Sequence, residues 1–326
     1  MTSTLKSVLA GLALAVASHT SAAAQGGGEA PYPARTIRII VGYGPGGGTD
    51  TVARLIAQKM QESFGQNVIV ENKPGGNAMI GPDYVAKASP DGYTLLFGGQ
   101  GQMTVSPVIY SKMPYALKDF VPIAMMSKYP LILVVNEKHP AADLKGLVAW
   151  AKQNPDKTNY ATASPAFTLA SELFKLRSGA PGETIPYKSG NEQVMSVVSN
   201  QVTFTMSEPP SAVAQVSAGK VRALAVTAPA RLPELPDVPT MKEAGFDVTV
   251  SLWAGLFAPV GTPAEIVKRL EAECARISQL PDFKQKLRAL STDSPGITSE
   301  EFARAMEAEL AVWRDVASQA NLKFAQ

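Results

Sequence analysis

Histidine and cysteine are nearly absent from this 326-residue chain, which has two histidines and one cysteine. A single cysteine, Cys274, cannot form a disulfide within the chain, and we expect it to be an apolar packing residue. No group of His, Cys, Asp and Glu has the spacing of a metal site, so we expect no metal and no other cofactor. Serine–histidine hydrolysis also lacks support, since His139 is the only histidine after residue 19 and no Gly-x-Ser-x-Gly motif occurs.

The chain also lacks an excess of either charge and, after residue 24, a long apolar run. Lys and Arg number 30 against 28 Asp and Glu, which argues against a nucleic-acid partner. No stretch after residue 24 approaches the ~18–20 apolar residues of a membrane-spanning helix. A hydrolase or lyase stays a remote alternative, because carboxylates that are distant in sequence can still meet in a fold.

Residues 1–24 are predicted to be a secretory signal peptide. Lys6 is the only charged residue before Glu29, an apolar run occupies residues 8–17, and three alanines at 22–24 offer a cleavage site. The run is short for a membrane anchor, which is the alternative. The glycine-rich residues 25–31 are expected to be a flexible lead. Because no cysteine follows the cleavage site, we expect a periplasmic protein without a lipid anchor.

A glycine-rich segment, residues 42–50, is the strongest motif in the chain. It follows an apolar strand at 37–41 and precedes an amphipathic helix that ends at Gly65. Glycines let backbone N–H groups point at a common anion, and a helix N-terminus adds partial positive charge. The segment has no P-loop lysine, and its match to the dinucleotide fingerprint is weak. A carboxylate cradle fits best, and a turn without a ligand is the alternative.

Strands alternate with helices through the first two thirds of the chain, and polar or glycine-rich loops follow the strands at 98–104, 162–168, 188–191 and 207–209. This alternation predicts parallel sheets with helices on both faces, and loops gathered beyond the carboxyl ends of the strands. Three helices at 265–278, 282–290 and 300–320 close the chain. We expect these helices to pack over one lobe.

Several motifs, in their order along the chain, give it a family resemblance. The chain resembles the TctC-type extracytoplasmic solute receptors of tripartite tricarboxylate transporters, also called the Bug family, from Tyr32 to Ala320. The matching stretches include Pro-Gly-Gly-Gly-Thr-Asp at 45–50, Val-Glu-Asn-Lys-Pro-Gly at 70–75, Pro-Asp-Gly-Tyr-Thr-Leu-Leu at 90–96, Gly-Lys-Val-Arg-Ala-Leu-Ala-Val-Thr at 219–227 and Leu-Pro-Asp-Val-Pro-Thr at 235–240.

The resemblance implies an α/β fold, that of a two-lobed, type II-like periplasmic binding protein with a ligand cleft between the lobes. It implies lobe I at 32–128, lobe II at 129–251, and a return crossing with C-terminal helices packing on lobe I at 252–326. The chain would cross between the lobes twice, near 126–131 and near 252–258. The lobes would close on a ligand by a hinge motion.

The resemblance also implies a set of ligand-contacting residues in the loops, with carboxylates held by backbone N–H groups and waters. These residues are Tyr43, Gly44, Gly46, Gly47, Thr49, Asp50, Met79, Gly99, Gln100, Gln102, Thr104, Ser164, Thr168 and Ser207. Ser207 stands where the family often has an Asp that could pair with a ligand ammonium, which disfavours an amino-acid ligand. Met79, Met103 and Phe167 would then face an apolar part of the ligand, such as an aromatic ring.

The function implied by the resemblance is capture of a small organic anion, a mono-, di- or tricarboxylate, by a monomeric, non-enzymatic receptor. The receptor would deliver the anion to TctA/TctB-like membrane subunits. The alternative is presentation of the ligand to a membrane sensor kinase without transport.

Overall fold

The computed structural model describes residues 32–319 of a chain that divides into two compact units, Met1–Ala34 and Arg35–Gln326. The predicted signal peptide and glycine-rich lead lie outside the described residues. Among residues 32–319, no helix is long and apolar enough to cross a membrane. The same residues do not bring three His, Cys, Asp or Glu side chains together as metal ligands.

All the strands and helices described here belong to the second unit. The strands are β1 (Ile37–Val41), β2 (Val68–Asn72), β3 (Thr94–Gly99), β4 (Phe120–Pro130), β5 (Ile132–Asn136), β6 (Asn159–Thr162), β7 (Glu183–Pro186), β8 (Phe204–Ser207), β9 (Val221–Val226) and β10 (Ser251–Pro259). The helices are α1 (Gly48–Phe64), α2 (Ile80–Ala86), α3 (Ser106–Ile109), α4 (Leu144–Gln153), α5 (Pro165–Ser178), α6 (Gly190–Val198), α7 (Pro209–Ser217), α8 (Ala264–Gln279), α9 (Pro281–Arg288) and α10 (Ser299–Gln319). A π-helical turn occupies Gly101–Val105, and 3₁₀ turns occupy Leu117–Asp119 and Pro155–Lys157.

The strands form two five-stranded sheets, one for each lobe. The first has the order β2-β1-β3-β10-β4 and the second has the order β7-β6-β8-β5-β9. In the first sheet β10 runs antiparallel to β3 and β4, and in the second β5 runs antiparallel to β8 and β9. The prediction of α/β architecture is confirmed, but the prediction of purely parallel sheets is wrong.

The two reversed strands have a common physical cause. β5 is the first strand after the chain leaves the first sheet, and β10 is the first strand after it returns. Each enters its sheet at the edge where the parallel strands end, because that edge faces the other lobe. An entering strand must therefore run against them. The apolar run at 252–259 forms β10, which lies between β3 and β4 and is buried on both faces.

One buried side chain, Thr227, joins the two crossings. Its Oγ1 accepts the N–H of Leu131 at 2.8 Å and donates to the carbonyl of Val250 at 2.6 Å. Its backbone N–H donates to the Leu131 carbonyl at 2.8 Å, and its own carbonyl accepts the Val250 N–H at 3.1 Å. The outgoing and returning chains are therefore held side by side where they pass between the sheets.

Helix α10 contributes to the apolar cores of both lobes. Phe302 and Met306, near its start, pack with Ile40 and other residues of the first sheet. Trp313 and Ala317, near its end, lie in the core cluster that contains second-sheet residues such as Leu133. The capping box predicted at its N-terminus is confirmed by hydrogen bonds between Thr298 and Glu301 in both directions. The lobe boundaries inferred from the resemblance remain a proposal.

We predict that Thr227→Val destabilises the protein by about 2–4 kcal/mol, because the Leu131 N–H and the Val250 carbonyl would stay buried without their partner. Unfolding in urea, followed by far-ultraviolet circular dichroism, measures this loss. Thr227→Ser is the control, since it keeps the hydroxyl and should cost less than about 1.5 kcal/mol. Equal unfolding midpoints for the two variants would show that the hydroxyl does not hold the crossings.

Candidate functional site

Loops at the carboxyl ends of strands from both sheets meet in the cleft between the lobes. The glycine-rich turn after β1 approaches the loop after β7, where the Gly44 N–H donates to the Lys188 carbonyl at 3.1 Å. The N–H of Gly48, the first residue of α1, donates to Glu208 Oε1 at 2.9 Å. Glu208 lies between β8 and α7. The lobes are therefore in direct contact through backbone donors of lobe I and acceptors of lobe II.

Glycines from both lobes make room for the Glu208 carboxylate. A Cβ on Gly190 would lie 2.0 Å from Glu208 Oε1, and a Cβ on Gly48 would lie 2.7 Å from Glu208 Cγ. A Cβ on Gly47 would lie 3.3 Å from the same oxygen. Larger residues at 48 and 190 would therefore displace Glu208. The glycine-rich turn binds a carboxylate, and in this structure that carboxylate belongs to Glu208.

An inner cavity of about 20 Å³ remains beside Glu208, which is room for only a water molecule or two. Six of the ligand-contacting residues implied by the family resemblance line it, as does Phe167, which was expected to face an apolar part of the ligand. Several further residues in the lining were not predicted. The lining residues are Tyr43, Gly47, Thr49, Gly99, Gln100, Gly101, Tyr129, Ala163, Ser164, Ala166, Phe167, Gly190, Glu208, Leu252 and Trp253.

Glu208 is a 3% exposed residue whose Oε2 lacks a well-formed hydrogen bond among the described residues, with the Ser211 hydroxyl beside its carboxylate. Burial raises the pKa of Glu208, and the Gly48 N–H and the nearby Ser211 side chain offset only part of the rise. Burial and the negative charge of Glu208 also raise the pKa values of Tyr43 and Tyr129. The cavity therefore disfavours ionisation of Glu208 and of both tyrosines.

A second acceptor in the cavity comes from lobe I. Gln100 is 3% exposed, and its Oε1 has no partner among the described residues. The side-chain amide also interacts with the Glu309 carboxylate, which accepts hydrogen bonds from Trp253 Nε1 and Thr104 Oγ1. Because a carboxylate accepts, Gln100 presents its NH₂ group to Glu309. Its oxygen is therefore the end of the amide without a partner among the described residues.

An outer cavity of about 520 Å³ lies in the same cleft and shares Ala163 and Ser164 with the inner one. The predicted residue Thr168 lines it, as does Lys188. Its lobe I wall includes residues 75–78, all with positive φ, from 54° at Asn77 to 115° at Gly75. Glycine and asparagine adopt this conformation more readily than other residues, and Ala78 is the exception in this segment.

The strained wall of the outer cavity is fixed from behind by Gln102. Ala78 has φ of 67°, which is unfavourable for a residue with a Cβ. Gln102 Nε2 donates to the Ala78 carbonyl at 2.7 Å, and Gln102 Oε1 accepts the Gly99 N–H at 3.0 Å. Both ends of this predicted ligand residue are thus engaged in holding loops together.

Other predicted residues have internal partners. Burial alone would raise the pKa of Asp50, but hydrogen bonds from Arg54, the Gly46 N–H and Asn72 outweigh it and lower the pKa. Met79 is 2% exposed and packs in the first-sheet core with Met103. The side chains of Asp50 and Met79 therefore stabilise the loops.

The remaining predicted residues lie close to the cleft loops. The Thr104 hydroxyl shares its one proton between Glu309 Oε2 and the Gln100 carbonyl, each at 3.2 Å. Thr168 Oγ1 donates to Thr162 Oγ1 at 3.1 Å. Ser207 is fully buried, and its Oγ has no partner in the described part of the chain. Gly46, by contrast, is exposed.

Sequence reasoning placed the loops 188–191 and 207–209 at the cleft without singling out Gly190 or Glu208, and it missed Tyr129. Glu208 lies in the predicted loop 207–209, but an acid before Pro209 is also typical of a helix start. Its burial depends on the approach of Gly48 from the other lobe, which no local pattern contains. A carboxylate directly after a predicted strand was the only available signal.

Comparisons of this chain with known proteins agree on one family. The family described as TctC, tripartite tricarboxylate transporter family receptor, matches residues 52–322. The chain is 35% identical over 326 residues to a UPF0065 protein of Pseudomonas sp. strain P51, covering 98% of this chain and 95% of that protein. It is 34% identical over 301 residues to BugT of Bordetella pertussis, covering 90% and 91%.

Solved structures agree with this family. A protein of R. palustris with adipate has a TM-score of 0.87 and 31% identity, covering 90% of this chain and all of that one. MatC of Rhodopseudomonas palustris with bound malate has a TM-score of 0.84 and 31% identity, covering 87% and 99%. The periplasmic binding protein BugD has a TM-score of 0.86 and 30% identity, covering 90% and 100%. The two-lobed fold of this chain is therefore that of the periplasmic binding proteins.

We predict that Glu208→Gln stabilises the protein relative to wild type increasingly as the pH rises above about 4.5. Between the ordinary pKa and the raised folded-state pKa, the unfolded chain has lost a proton that the folded chain keeps. Raising the pH through this window therefore destabilises wild type but not the variant. Urea unfolding at a series of pH values measures the difference.

The matched control for this comparison is Glu307→Gln, because Glu307 is exposed on α10. Its stability difference from wild type should stay nearly constant across the same pH range. A flat difference for Glu208→Gln as well would contradict the assignment of a raised pKa to this carboxyl group.

Proposed function

The chain belongs to the TctC family of solute-binding receptors, which are not enzymes, and we propose that it captures a small organic acid in the periplasm by closing its lobes around it. The observation that carries this proposal is the meeting of strand-end loops from both sheets around one pair of cavities. A ligand held between these loops would contact both lobes at once.

The chemistry of the cleft favours a carboxylate as the common ligand group. Opening of the lobes would free the Gly44 and Gly48 N–H groups that Lys188 and Glu208 occupy in this structure, and Lys188 also lines the outer cavity. The outer cavity, at about 520 Å³, falls within the 300–1,000 Å³ typical of small-molecule sites. Mono-, di- and tricarboxylates, including aromatic ones, are the candidates, and adipate and malate are natural first probes because related proteins are solved with them.

Capture would work through a population shift between open and closed lobes. A ligand that contacts both lobes binds the closed form more tightly and therefore favours closure. The crossings at Leu131 and at residues 227–250 would act as the hinge, held together by Thr227. Residues 1–24 would direct export, and the closed monomer would deliver its ligand to the membrane subunits of a tripartite tricarboxylate transporter.

We predict that at least one organic acid in a panel of carboxylates, amino acids and sugars raises the melting temperature by several degrees. A ligand at ~100 times its dissociation constant adds roughly 2.7 kcal/mol of stability, and each kcal/mol raises the melting temperature of a large domain by ~2–4 °C. The protein should be unfolded and refolded first to remove any carried ligand. A response to sugars alone would contradict the proposal.

We predict that Gly190→Ala weakens binding of that acid at least about tenfold, because a Cβ 2.0 Å from Glu208 Oε1 would displace the carboxylate that accepts the Gly48 N–H of the other lobe. Titration calorimetry measures the affinity. Gly146→Ala, in the first turn of α4, is the matched control and should bind as wild type does. Wild-type affinity in the Gly190 variant would show that the closed contact at Glu208 is not needed.

Delivery is tested separately, by uptake of the labelled acid into cells that carry a tripartite transporter, with and without this receptor. Uptake that depends on the receptor supports delivery. Binding without any receptor-dependent uptake would instead favour presentation to a membrane sensor.

A further inference from the structure

We propose that Glu309, on the C-terminal helix α10, is a positioning residue for the ligand site. The described lining residues of the two cavities do not include Glu309, but two of its hydrogen-bond partners, Trp253 and Gln100, line the inner cavity. Glu309 fixes the orientation in which these two side chains meet the captured acid. This inference deepens the proposed function and rests on it.

Glu309 is an acid on the face of α10 that packs into the fold. Four buried apolar residues from the core clusters of both lobes mark this face, namely Phe302, Met306, Trp313 and Ala317. Residues three or four positions apart are neighbours on a helix surface, and Glu309 follows Met306 by three positions and precedes Trp313 by four. It therefore lies between the part of α10 that packs on lobe I and the part that packs on lobe II.

Three side chains from two other segments converge on the Glu309 carboxylate. Trp253 Nε1, on β10, lies 2.8 Å from each carboxylate oxygen. Thr104 Oγ1, in the π-helical turn, lies 3.2 Å from Oε2, and the Gln100 side chain forms a further hydrogen bond with the carboxylate. Because an ionised carboxylate has two oxygens that only accept, Glu309 can engage all three donors at once.

Two residues of α10 set the orientation of the Trp253 indole. The ring of Phe302 contacts it edge to face, with ring centroids 4.9 Å apart and an interplanar angle of 85°. Glu309 accepts the hydrogen bond from its Nε1. Both the ring and the N–H group of this cavity-lining side chain are therefore held from the same helix.

Glu309 also specifies one of the two orientations of the Gln100 amide. The carboxylate requires the NH₂ group of Gln100, which leaves Gln100 Oε1 as the end without a partner among the described residues. An amide at position 309 would carry both a donor and an acceptor, so the Gln100 amide could turn over without losing a partner. The negative charge of Glu309 is what makes the two orientations unequal.

Fixed walls matter in a cavity of this size. The inner cavity holds about 20 Å³, so a turn of either Trp253 or Gln100 would change its shape or its polarity. A side chain that rotates freely before binding must be ordered by the ligand, and this ordering reduces affinity. Glu309 therefore raises the affinity for the acid without touching it.

The variant Glu309→Gln tests this role, because it keeps the size of the side chain and removes its charge. Titration calorimetry on the refolded mature protein uses the acid of the panel that binds wild type most tightly, beginning with adipate and malate. We expect at least about fivefold weaker binding, because the Gln100 amide loses its fixed orientation. Glu307→Gln, the same change at an exposed position of α10, should bind as wild type does.

A double-mutant cycle with Gln100→Met separates positioning from general damage to the fold. Methionine keeps the length of the side chain but has no amide to orient. We expect Glu309→Gln to weaken binding by less than about twofold in this background, because residues that act through one contact are not additive. Glu309→Asp, which draws the carboxylate back by one methylene group, takes the same place in the cycle if the Gln variant does not fold.

The contact with Trp253 has a signature that needs no ligand. The indole N–H signal of Trp253 in a proton–nitrogen correlation spectrum is identified by its loss in Trp253→Phe. We expect this signal to shift in Glu309→Gln, because its hydrogen-bond acceptor loses its charge, and to stay in place in Glu307→Gln. An unshifted signal would overturn the hold of Glu309 on the indole.

Each binding result decides between specific alternatives. A loss of affinity that requires Gln100 supports the positioning role. Wild-type affinity in Glu309→Gln, or an equal loss with and without Gln100, would overturn that role and leave the proposed function intact. Binding of no acid in the whole panel would contradict the proposed function, and this inference would fall with it.

Discussion

The carboxylate of Glu208 joins the two lobes. Among the described contacts between the lobes, it is the charged side chain that meets a helix N-terminus of the opposite lobe. Its Oε1 accepts the Gly48 N–H at the start of α1, a 17-residue helix whose N-terminus carries partial positive charge. Gly48 and Gly190 leave the space that this carboxylate fills. The two lobes therefore touch at this point through one hydrogen bond to a buried acid.

The fold brings that contact about through two reversed strands. β5 and β10 each enter a sheet from the other lobe, so the crossings lie at the same edge as the ligand loops. Thr227 fixes the crossings to each other, and α10 packs against apolar clusters on both sides. The lobes are therefore connected on one side of the cleft by buried structure and on the other by polar contacts that a ligand could replace.

Local sequence patterns predicted the helices and strands well, and tertiary contacts poorly. The predicted strand at 37–41 is β1, and the three helices predicted at the end of the chain agree closely with α8, α9 and α10. Helix α1 ends at Phe64 because Gly65 follows it with a φ of 65°, which few other residues adopt easily. The direction of β10 was not predictable, because strand direction depends on where the chain enters the sheet. A run buried on both faces also lacks the alternation that marks a strand.

The candidate site, too, was predicted in part from the sequence. Loops after strands were predicted to gather, and Tyr43, Thr49, Gln100 and Ser164 do line one cavity. The role of each side chain depends on its partners across the fold. Gln102 and Asp50 appeared in the sequence as polar loop residues, yet their polar atoms hold neighbouring loops. Glu208 became visible only when burial and the opposite lobe were known.

Ligand-driven closure of the lobes is the central claim, and a distance measurement between the lobes tests it most directly. Spin labels at Gln58→Cys on α1 and Gln153→Cys on α4 occupy exposed sites, while the native Cys274 is buried. The account predicts that saturating amounts of the tightest-binding acid narrow the distance distribution to one short population. An unchanged distribution, measured in a sample that calorimetry shows to be saturated, would contradict closure as the mechanism of capture.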